Sequence, residues 1–315
     1  EKRLTKQSAR CDEAPAYRVL DHRWSDPSTL RQIDIQSIAW EHFCVNGATK
    51  VMNSADRVLE ENELLASWSV EQVLVNAYRD RRAMGVAAAS MIARQILHVL
   101  ETKPDVRMVF AAAPSQSEMI SSLLAIRDIP WERVTAFHMD DYLDLPADAP
   151  QRFANWLDEH LFSPAPIGVV HRIPAIGVAE EICRDYASLL SEAPIDIACL
   201  GIGVNGHIAF NDPPVADFND PLMVKVVELD ATCRQQQVDD NCFPALADVP
   251  KQAITLTVPQ LMSAEAIFCV VPGPQKRGAV EAALDEPIST NCPASILRTH
   301  PNCKIFLDRE ASPRV

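Results

Sequence analysis

Residues 195–213 read IDIACLGIGVNGHIAFNDP, an apolar segment that runs directly into a glycine-rich loop. The chain has nine glycines in 315 residues, and three of them are Gly201, Gly203 and Gly206. Glycine permits backbone conformations and close approaches that a side chain would block, so this cluster marks a loop with a special backbone task. The short apolar run before it predicts a buried strand, with the loop at the carboxyl end of that strand.

Segments on both sides of this loop alternate between strand and helix patterns. The predicted strands are 106–112, 134–137, 195–200, 253–258, 266–271 and 303–307, and the predicted helices are 73–100, 117–126, 152–162, 179–190 and 275–284. Such alternation predicts an α/β fold, with a mostly parallel open sheet and helices on both of its faces, of the Rossmann-like kind. Ligands bind such sheets at the carboxyl ends of the strands.

The alternation also predicts how the chain is divided. Residues 71–315 carry it and form the predicted main domain. Residues 1–70 are mostly irregular and polar, with one helical pattern near residues 58–68, and are predicted to be an N-terminal extension of unknown role.

Charge and cysteine usage exclude several classes of function. The chain has 29 Lys and Arg against 43 Asp and Glu, a formal charge of −14, which disfavours nucleic-acid and anionic-membrane partners. No apolar run reaches the ~18 residues of a membrane span, and the charged first ten residues do not resemble a secretory signal. Nine cysteines without a CxxC pair predict buried, reduced thiols and a cytoplasmic location.

The glycine-rich loop fits the dinucleotide pattern G-x-G-x-x-G, but its context does not. That fingerprint must open a helix, and Pro213 and Pro214 prevent one from continuing here. The loop instead presents His207, with Asn205 two residues before it and Asp212 five residues after it. Histidine moves protons near neutral pH, and a carboxylate can orient its ring. The alternative is a structural histidine.

A second motif, His138-Met139-Asp140-Asp141, follows the predicted strand 134–137. A carboxylate here could serve as a base that removes a proton from carbon. The alternatives are a helix cap with a solvated acid, or a metal site built from His138 and the two aspartates.

Two further segments are candidates for holding a phosphate. Ser115, Gln116 and Ser117 lie between a predicted strand and a helix, where backbone N–H groups and hydroxyls can bind an anion, although a plain helix cap is the simpler interpretation. Lys276 lies in the first turn of its predicted helix, where a cation opposes the helix dipole. A shared anionic ligand would explain that placement.

Together, these motifs resemble the glucosamine-6-phosphate deaminase (isomerase) family, which shares a fold superfamily with the 6-phosphogluconolactonases. The resemblance spans about residues 73–312 and is carried by residues 137–142 (FHMDDY), 200–213 (LGIGVNGHIAFNDP), 273–276 (GPQK) and 288–301. It implies a deaminase/lactonase-type fold and conversion of glucosamine 6-phosphate to fructose 6-phosphate and ammonia. It implies no metal or organic cofactor, because the substrate amine is the electron sink. A homo-oligomer is compatible with the sequence.

The resemblance also implies residue roles. The base that moves the C2 proton falls on Asp140, and the ring-opening histidine falls on His207, with Asn205 and Asp212 as its polar partners. Many members have Asp at the first of these partner positions, and most have Glu at the second. The phosphate-binding residues fall on Ser115, Gln116, Ser117 and Lys276. The family's phosphate arginine has Arg234 as its nearest candidate.

The sequence is also compatible with two other functions. One is a lactonase-like hydrolase of a sugar-acid phosphate, and the other is a sugar-phosphate sensor that binds without catalysis. The presence of both Asp140 and His207 favours an enzyme over a sensor.

Overall fold

The structure is a computed structural model, and the residues described are 63–315. Its strands are β1 (Leu64–Val70), β2 (Val73–Tyr78), β3 (Val106–Phe110), β4 (Val134–His138), β5 (Asp140–Tyr142), β6 (Val169–His171), β7 (Ile197–Leu200), β8 (Val224–Glu228), β9 (Gln252–Leu256), β10 (Ala266–Val271) and β11 (Cys303–Asp308). Its helices are α1 (Arg81–Leu100), α2 (Ser117–Ala125), α3 (Phe153–Leu157), α4 (Ala179–Ser191), α5 (Ala231–Asp239), α6 (Val258–Met262) and α7 (Arg277–Asp285).

The main sheet has eight strands in the order β1-β2-β11-β10-β7-β3-β4-β6. Strand β1 pairs antiparallel with β2, and all the other neighbours are parallel. Apolar clusters cover both faces, since alternate residues of the central strands belong to two different clusters. The predicted α/β sheet with helices on both faces is therefore confirmed. From β3 the chain first moves outward through β4 and β6, then returns to β7 on the other side. This reversal opens a crevice between the carboxyl ends of β3 and β7.

A second, three-stranded sheet lies at this end of the molecule. Strand β9 pairs antiparallel with both β5 and β8. The predicted strand 253–258 therefore exists as β9, but in this small sheet. Rings of Tyr142, Phe210 and Phe243 pack at centroid distances of 5.3 to 5.4 Å and tie the small sheet to the glycine-rich loop.

The predicted helix 73–100 is wrong in its first part. Val73–Tyr78 is strand β2, and α1 begins only after Asp80, whose side chain accepts a hydrogen bond of 2.9 Å from the Ala83 backbone N–H. The β-branched run before this N-cap suits a buried strand, whereas the alanine-rich run after it suits a helix.

The helix predicted near residues 58–68 is also wrong where it can be compared. Its part from Leu64 onward is strand β1, in which half-buried and exposed side chains alternate with the period of two of an edge strand. The rest of that helix, up to residue 62, lies outside the described residues. The β1–β2 hairpin crosses the boundary predicted between residues 70 and 71.

Helix α1 is long and apolar enough to cross a membrane by length and composition alone. However, more than half of its apolar stretch is buried within the protein. Met84, Ile92 and Ile96 are fully buried in the cluster on one face of the main sheet. Its apolar character therefore reflects packing in the core.

Candidate active site

A cavity of about 490 Å³ opens at the carboxyl ends of β3, β4, β7 and β10, a volume typical of small-molecule sites. The structure brings many of the sequence-predicted side chains to its wall. Those lining it are Ser115, Gln116, Asp140, His207 and Lys276. Asn205, Ser117 and Asp212 are not part of the lining.

His207 is held from behind by two polar side chains. Its Nδ1 lies 2.9 Å from Oδ1 of Asp212, close enough for an ion pair but at an angle outside that of a hydrogen bond. Asn205 Nδ2 donates to the same oxygen over 2.9 Å, and Asn205 Oδ1 accepts from the His207 backbone N–H over 3.2 Å. Asp212 and Asn205, the predicted partners of His207, therefore contact this histidine and each other, although neither side chain lines the cavity.

The Asp212 carboxylate is fully buried. Burial alone would raise its pKa, but its interactions with His207 and Asn205 outweigh this effect and lower the pKa. Asp212 is therefore ionised near neutral pH, and its negative charge lies directly against a ring nitrogen of His207. That is the electrostatic arrangement that a proton-shuttling histidine needs.

Two glycines of the loop make room for this arrangement. A Cβ at Gly203 would lie 2.1 Å from both Cε1 and Nε2 of His207, so only glycine lets the ring lie against the backbone. Gly206 has a φ of +82°, which side chains rarely adopt, and a Cβ there would lie 2.6 Å from Sγ of Cys292. The glycine cluster therefore positions the histidine.

Asp140 is the buried carboxyl group of the cavity wall. It is 5% exposed and begins β5, just beyond the end of β4. Burial raises its pKa well above the ordinary value, the nearby carboxylates of Asp141 and Asp212 raise it further, and a hydrogen bond from the Phe210 backbone N–H partly opposes them. A carboxylate with a raised pKa is a stronger base, as removal of a proton from carbon requires.

The neighbouring Asp141 does a different job. Its Oδ2 pairs with Nη2 of Arg152 at 2.9 Å, and both side chains are almost completely buried. Its Oδ1 accepts the Phe153 backbone N–H over 3.0 Å, so it also caps α3. The helix-cap interpretation thus holds for Asp141, but this acid is buried and paired, not solvated.

His138 is structural as well. Its Nδ1 lies 2.9 Å from the Asp140 carbonyl oxygen, and its Nε2 accepts the Ile173 backbone N–H over 2.8 Å. Both ring nitrogens are therefore occupied by backbone groups. The alternative of a metal site on His138, Asp140 and Asp141 does not fit this geometry.

We expect Asp141→Asn to lower the free energy of unfolding by about 3–5 kcal/mol, because it leaves the buried Arg152 guanidinium without its counter-charge. Urea unfolding followed by circular dichroism measures the change. The double variant Asp141→Leu with Arg152→Met is the control, since replacing both charges with apolar groups should recover most of the loss. A loss below about 1 kcal/mol in the single variant would contradict a buried pair.

The phosphate-binding candidates lie in two equivalent turns. Pro114–Gln116 follows β3 and leads into α2, and Pro274–Lys276 follows β10 and leads into α7. Lys276 is 4% exposed, and burial lowers its pKa to about 8, although the Asp240 carboxylate acts in the opposite direction. Among the described residues that line the cavity, Lys276 is the only cation. A buried ammonium beside a helix N-terminus is suited to an anionic ligand.

The other candidates for binding phosphate differ in what their side chains contact. Nε2 of Gln116 donates to the Val270 carbonyl and to Oγ of Ser115, both over 3.2 Å, so this side chain fastens its own turn to strand β10. Ser117 begins α2 and is half-buried beside the cavity. Arg234 turns away, with its guanidinium on the carbonyls of Leu246 and Val249. It therefore does not supply the phosphate arginine.

Sequence reasoning missed one wall of the cavity, which α5 and the residues after it supply. Gln236 accepts the Val204 backbone N–H over 3.0 Å and donates to Oδ2 of Asp240 over 3.2 Å, linking the glycine-rich loop to an acid in the lining. Gln237 is buried and lines the cavity beside it. The only signal was the run of glutamines at 235–237, and it does not distinguish a buried wall from a solvated helix.

Comparison with known proteins gives matches in both sequence and structure. Residues 79–305 match the family model described as glucosamine-6-phosphate isomerases/6-phosphogluconolactonase. The chain is 33% identical over 226 residues to a glucosamine-6-phosphate deaminase of Listeria innocua, covering 71% of this chain and 94% of the relative. It is 37% identical over 182 residues to one of Bacillus cereus, covering 57% and 67%.

Two solved structures extend the comparison. A monomeric glucosamine-6-phosphate deaminase aligns with a TM-score of 0.69 and 28% identity, over 75% of this chain and 98% of that one. A 6-phosphogluconolactonase from Thermotoga maritima aligns with a TM-score of 0.62 and 21% identity, over 75% and 100%. The second likeness concerns the fold alone.

Proposed function

Because the chain belongs to the glucosamine-6-phosphate isomerase/6-phosphogluconolactonase family, we propose that it converts glucosamine 6-phosphate to fructose 6-phosphate and ammonia. The observation that carries this proposal is that one cavity is lined by a buried carboxyl group, an imidazole and a buried ammonium, which could act as a base, a proton shuttle and an anion site. These are Asp140, His207 and Lys276. An amino-sugar phosphate needs all three groups at once.

The phosphate would bind at the Lys276 end of the cavity. There the ammonium of Lys276 and the turn containing Ser115 precede the N-termini of α7 and α2, where free backbone N–H groups and the helix dipole favour an anion. This contact is remote from the reacting carbons and serves to position them. Because such a substrate is charged and does not cross membranes unaided, we propose that the protein acts in the cytoplasm, where the substrate is formed.

His207 would open the sugar ring. Opening requires a proton to leave the anomeric hydroxyl and another to reach the ring oxygen, and a single imidazole can accept the first and deliver the second. The buried Asp212 carboxylate stabilises the imidazolium formed in between. Asn205 holds that carboxylate against the loop, because it hydrogen-bonds both the carboxylate and the His207 backbone N–H.

Asp140 would then transfer a proton from C2 to C1 of the open-chain sugar. Removal of the C2 proton gives a cis-enolamine, and return of the proton to C1 gives an imine at C2. Water adds to this imine and ammonia leaves, which produces the ketose. The C1 carbonyl oxygen accepts the electron pair, and a proton from solvent, as the C2 proton leaves. The nitrogen lone pair then forms the imine as C1 is protonated, so no cofactor takes part in the proposal.

The test is ammonia release from glucosamine 6-phosphate, assayed beside galactosamine 6-phosphate, N-acetylglucosamine 6-phosphate and 6-phosphogluconolactone. We expect turnover of the first and none of the N-acetyl compound, whose nitrogen is acylated. Hydrolysis of the lactone alone would favour the lactonase alternative. Tight binding without turnover of any compound would favour the sensor.

The pKa of Lys276 predicts an alkaline limit to substrate binding. In the enzyme without substrate, Lys276 is protonated below about pH 8 and can bind phosphate, and it loses its charge above that pH. As the pH increases above about 8, KM should therefore rise up to tenfold per pH unit, while kcat changes less. A steady-state pH profile measures this. Lys276→Arg should move the alkaline limit upward, because guanidinium stays protonated.

The charge of Lys276 also predicts how KM differs between the wild type and a variant without that charge. Lys276→Ala should raise KM by about ten- to a hundredfold at pH 7, because a charged hydrogen bond is worth roughly 1.5–3 kcal/mol. Inorganic phosphate provides the control, since it should inhibit the wild type far more strongly than this variant. Equal inhibition of both would place the phosphate elsewhere.

A further inference from the structure

A second cluster of potential ligand atoms lies behind the catalytic histidine. His207, Asp212 and Cys233 each offer one atom, a ring nitrogen, a carboxylate oxygen and a thiol sulfur, and these atoms all lie within 4.8 Å of one another. Asp212 and Cys233 are fully buried and lie outside the cavity lining. Asp212 comes from the end of the glycine-rich loop and Cys233 from the first turn of α5.

This donor set is suited to a thiophilic divalent cation. Zinc binds sulfur at about 2.3 Å and imidazole nitrogen at about 2.0 Å, and nitrogen, oxygen and sulfur together satisfy it well. Ligands around a tetrahedral zinc are closer together than 4.8 Å, so the cluster needs only a modest contraction. The sulfur of Cys233 already lies within 4.8 Å of a carboxylate oxygen of Asp212, so the two elements that carry these ligands are adjacent.

Two buried polar atoms of this region make no well-aligned hydrogen bond. Nδ1 of His207 is buried and has no hydrogen-bond partner within residues 63–315, even though a carboxylate lies beside it. The hydroxyl of Tyr142 is also buried without a partner in that range, and Cys233 and Cys242 are its neighbours. Buried polar atoms without a well-aligned hydrogen bond are rare, so both atoms keep bonding capacity that a ligand could use.

We propose that His207, Asp212 and Cys233 form an inhibitory site for zinc or a similar thiophilic cation. The cation displaces the thiol proton of Cys233 to solvent and binds Nδ1 of His207, whose proton is then on Nε2. The effect on activity rests on the proposed function. A metal-bound ring that holds its proton on Nε2 cannot accept another proton from the anomeric hydroxyl, so ring opening stops.

The proposal predicts a particular pattern of inhibition. Lys276 and Asp140 take no part in the cluster, so substrate still binds. Zinc should therefore lower kcat and leave KM nearly unchanged, and a chelator should restore activity. An inhibitor that occupied the cavity itself would instead raise KM.

The experiment measures zinc binding directly on the full chain, by competition with a chromophoric chelator. Cys233→Ser removes the sulfur ligand and keeps a hydrogen-bond donor for Asp212, and Cys242→Ser removes the thiol of the cavity lining as a matched control. We expect Cys233→Ser to bind one equivalent less than wild type and to resist inhibition, with Cys242→Ser unchanged. Cobalt should give a thiolate charge-transfer band that Cys233→Ser lacks.

Other results would overturn the site. These are equal zinc stoichiometry in wild type and in a Cys233→Ser protein with a native circular dichroism spectrum, or loss of the equivalent in Cys242→Ser. The binding arm is independent of the reaction. If the deaminase assay fails while the stoichiometric difference persists, the proposed function falls and the metal site stands. If turnover is found without that difference, only the site falls.

Discussion

Asp140→Asn is expected to bind substrate nearly normally and to lose turnover by ~10²–10⁴ or more. The C2 proton of a sugar is weakly acidic, and the only task of Asp140 in the proposed reaction is to take it and return it at C1. Asparagine keeps the size and most of the hydrogen bonding of the side chain but cannot accept a proton. The loss should therefore appear in kcat, with little change in KM.

Hydrogen exchange at C2 identifies the base more directly than the overall rate does. In deuterated water, the wild type should place deuterium on the sugar carbons, and Asp140→Asn should not. Asp240→Asn is the matched control, because it makes the same substitution at another carboxylate of the same cavity, one that accepts a hydrogen bond from Gln236. Persistent exchange in the Asp140 variant would assign proton transfer to another carboxylate of the cavity, and loss of exchange only in the Asp240 variant would assign it to Asp240.

Much of this site could be predicted because its signals are local. His207, its glycines and Asp212 lie within a dozen residues, and Asp140 directly follows a short apolar strand. Parallel strands bring their carboxyl ends to one edge, so motifs distant in sequence meet in the cavity once the sheet is assumed. The confirmed fold and the meeting of Asp140, His207 and Lys276 in one cavity both follow from that one inference.

Other features could not be predicted because they depend on distant contacts. The strand pattern of Val73–Tyr78 merges with the apolar pattern of α1, and only pairing with β1 and β11 shows it to be a strand. Asp140 and Asp141 are chemically identical in the sequence. Only Arg152, eleven residues beyond Asp141, shows which of them is paired and structural.

The wall formed by α5 was missed for a similar reason. Polar side chains on a short helix are usually solvated, and nothing in the run of glutamines indicates that Gln236 and Gln237 are buried. The small antiparallel sheet carries this helix to the cavity, and sequence alternation does not predict that sheet. The same helix turns Arg234 outward, which is why an arginine near the expected position in the chain does not reach the phosphate.

His207→Gln is expected to lower turnover of the cyclic substrate by ~10²–10⁴, the usual contribution of a positioned acid–base group. Glutamine fills a similar space and can donate and accept hydrogen bonds, but it cannot take up a proton and deliver it elsewhere. The proposed role is confined to ring opening, so a substrate analogue locked in the open-chain form should be processed by the variant far better than the natural ring.

Asp212→Asn provides the graded control for this prediction. It keeps the imidazole and removes the charge that stabilises its protonated form, 2.9 Å from Nδ1. It should therefore show the same preference for the open-chain analogue with a smaller loss than His207→Gln. Rates on the cyclic and open-chain substrates, measured for both variants, separate ring opening from proton transfer at C2. If His207→Gln loses equal activity on both substrates, the histidine acts in the later chemistry, and ring opening must be assigned to another group of the cavity.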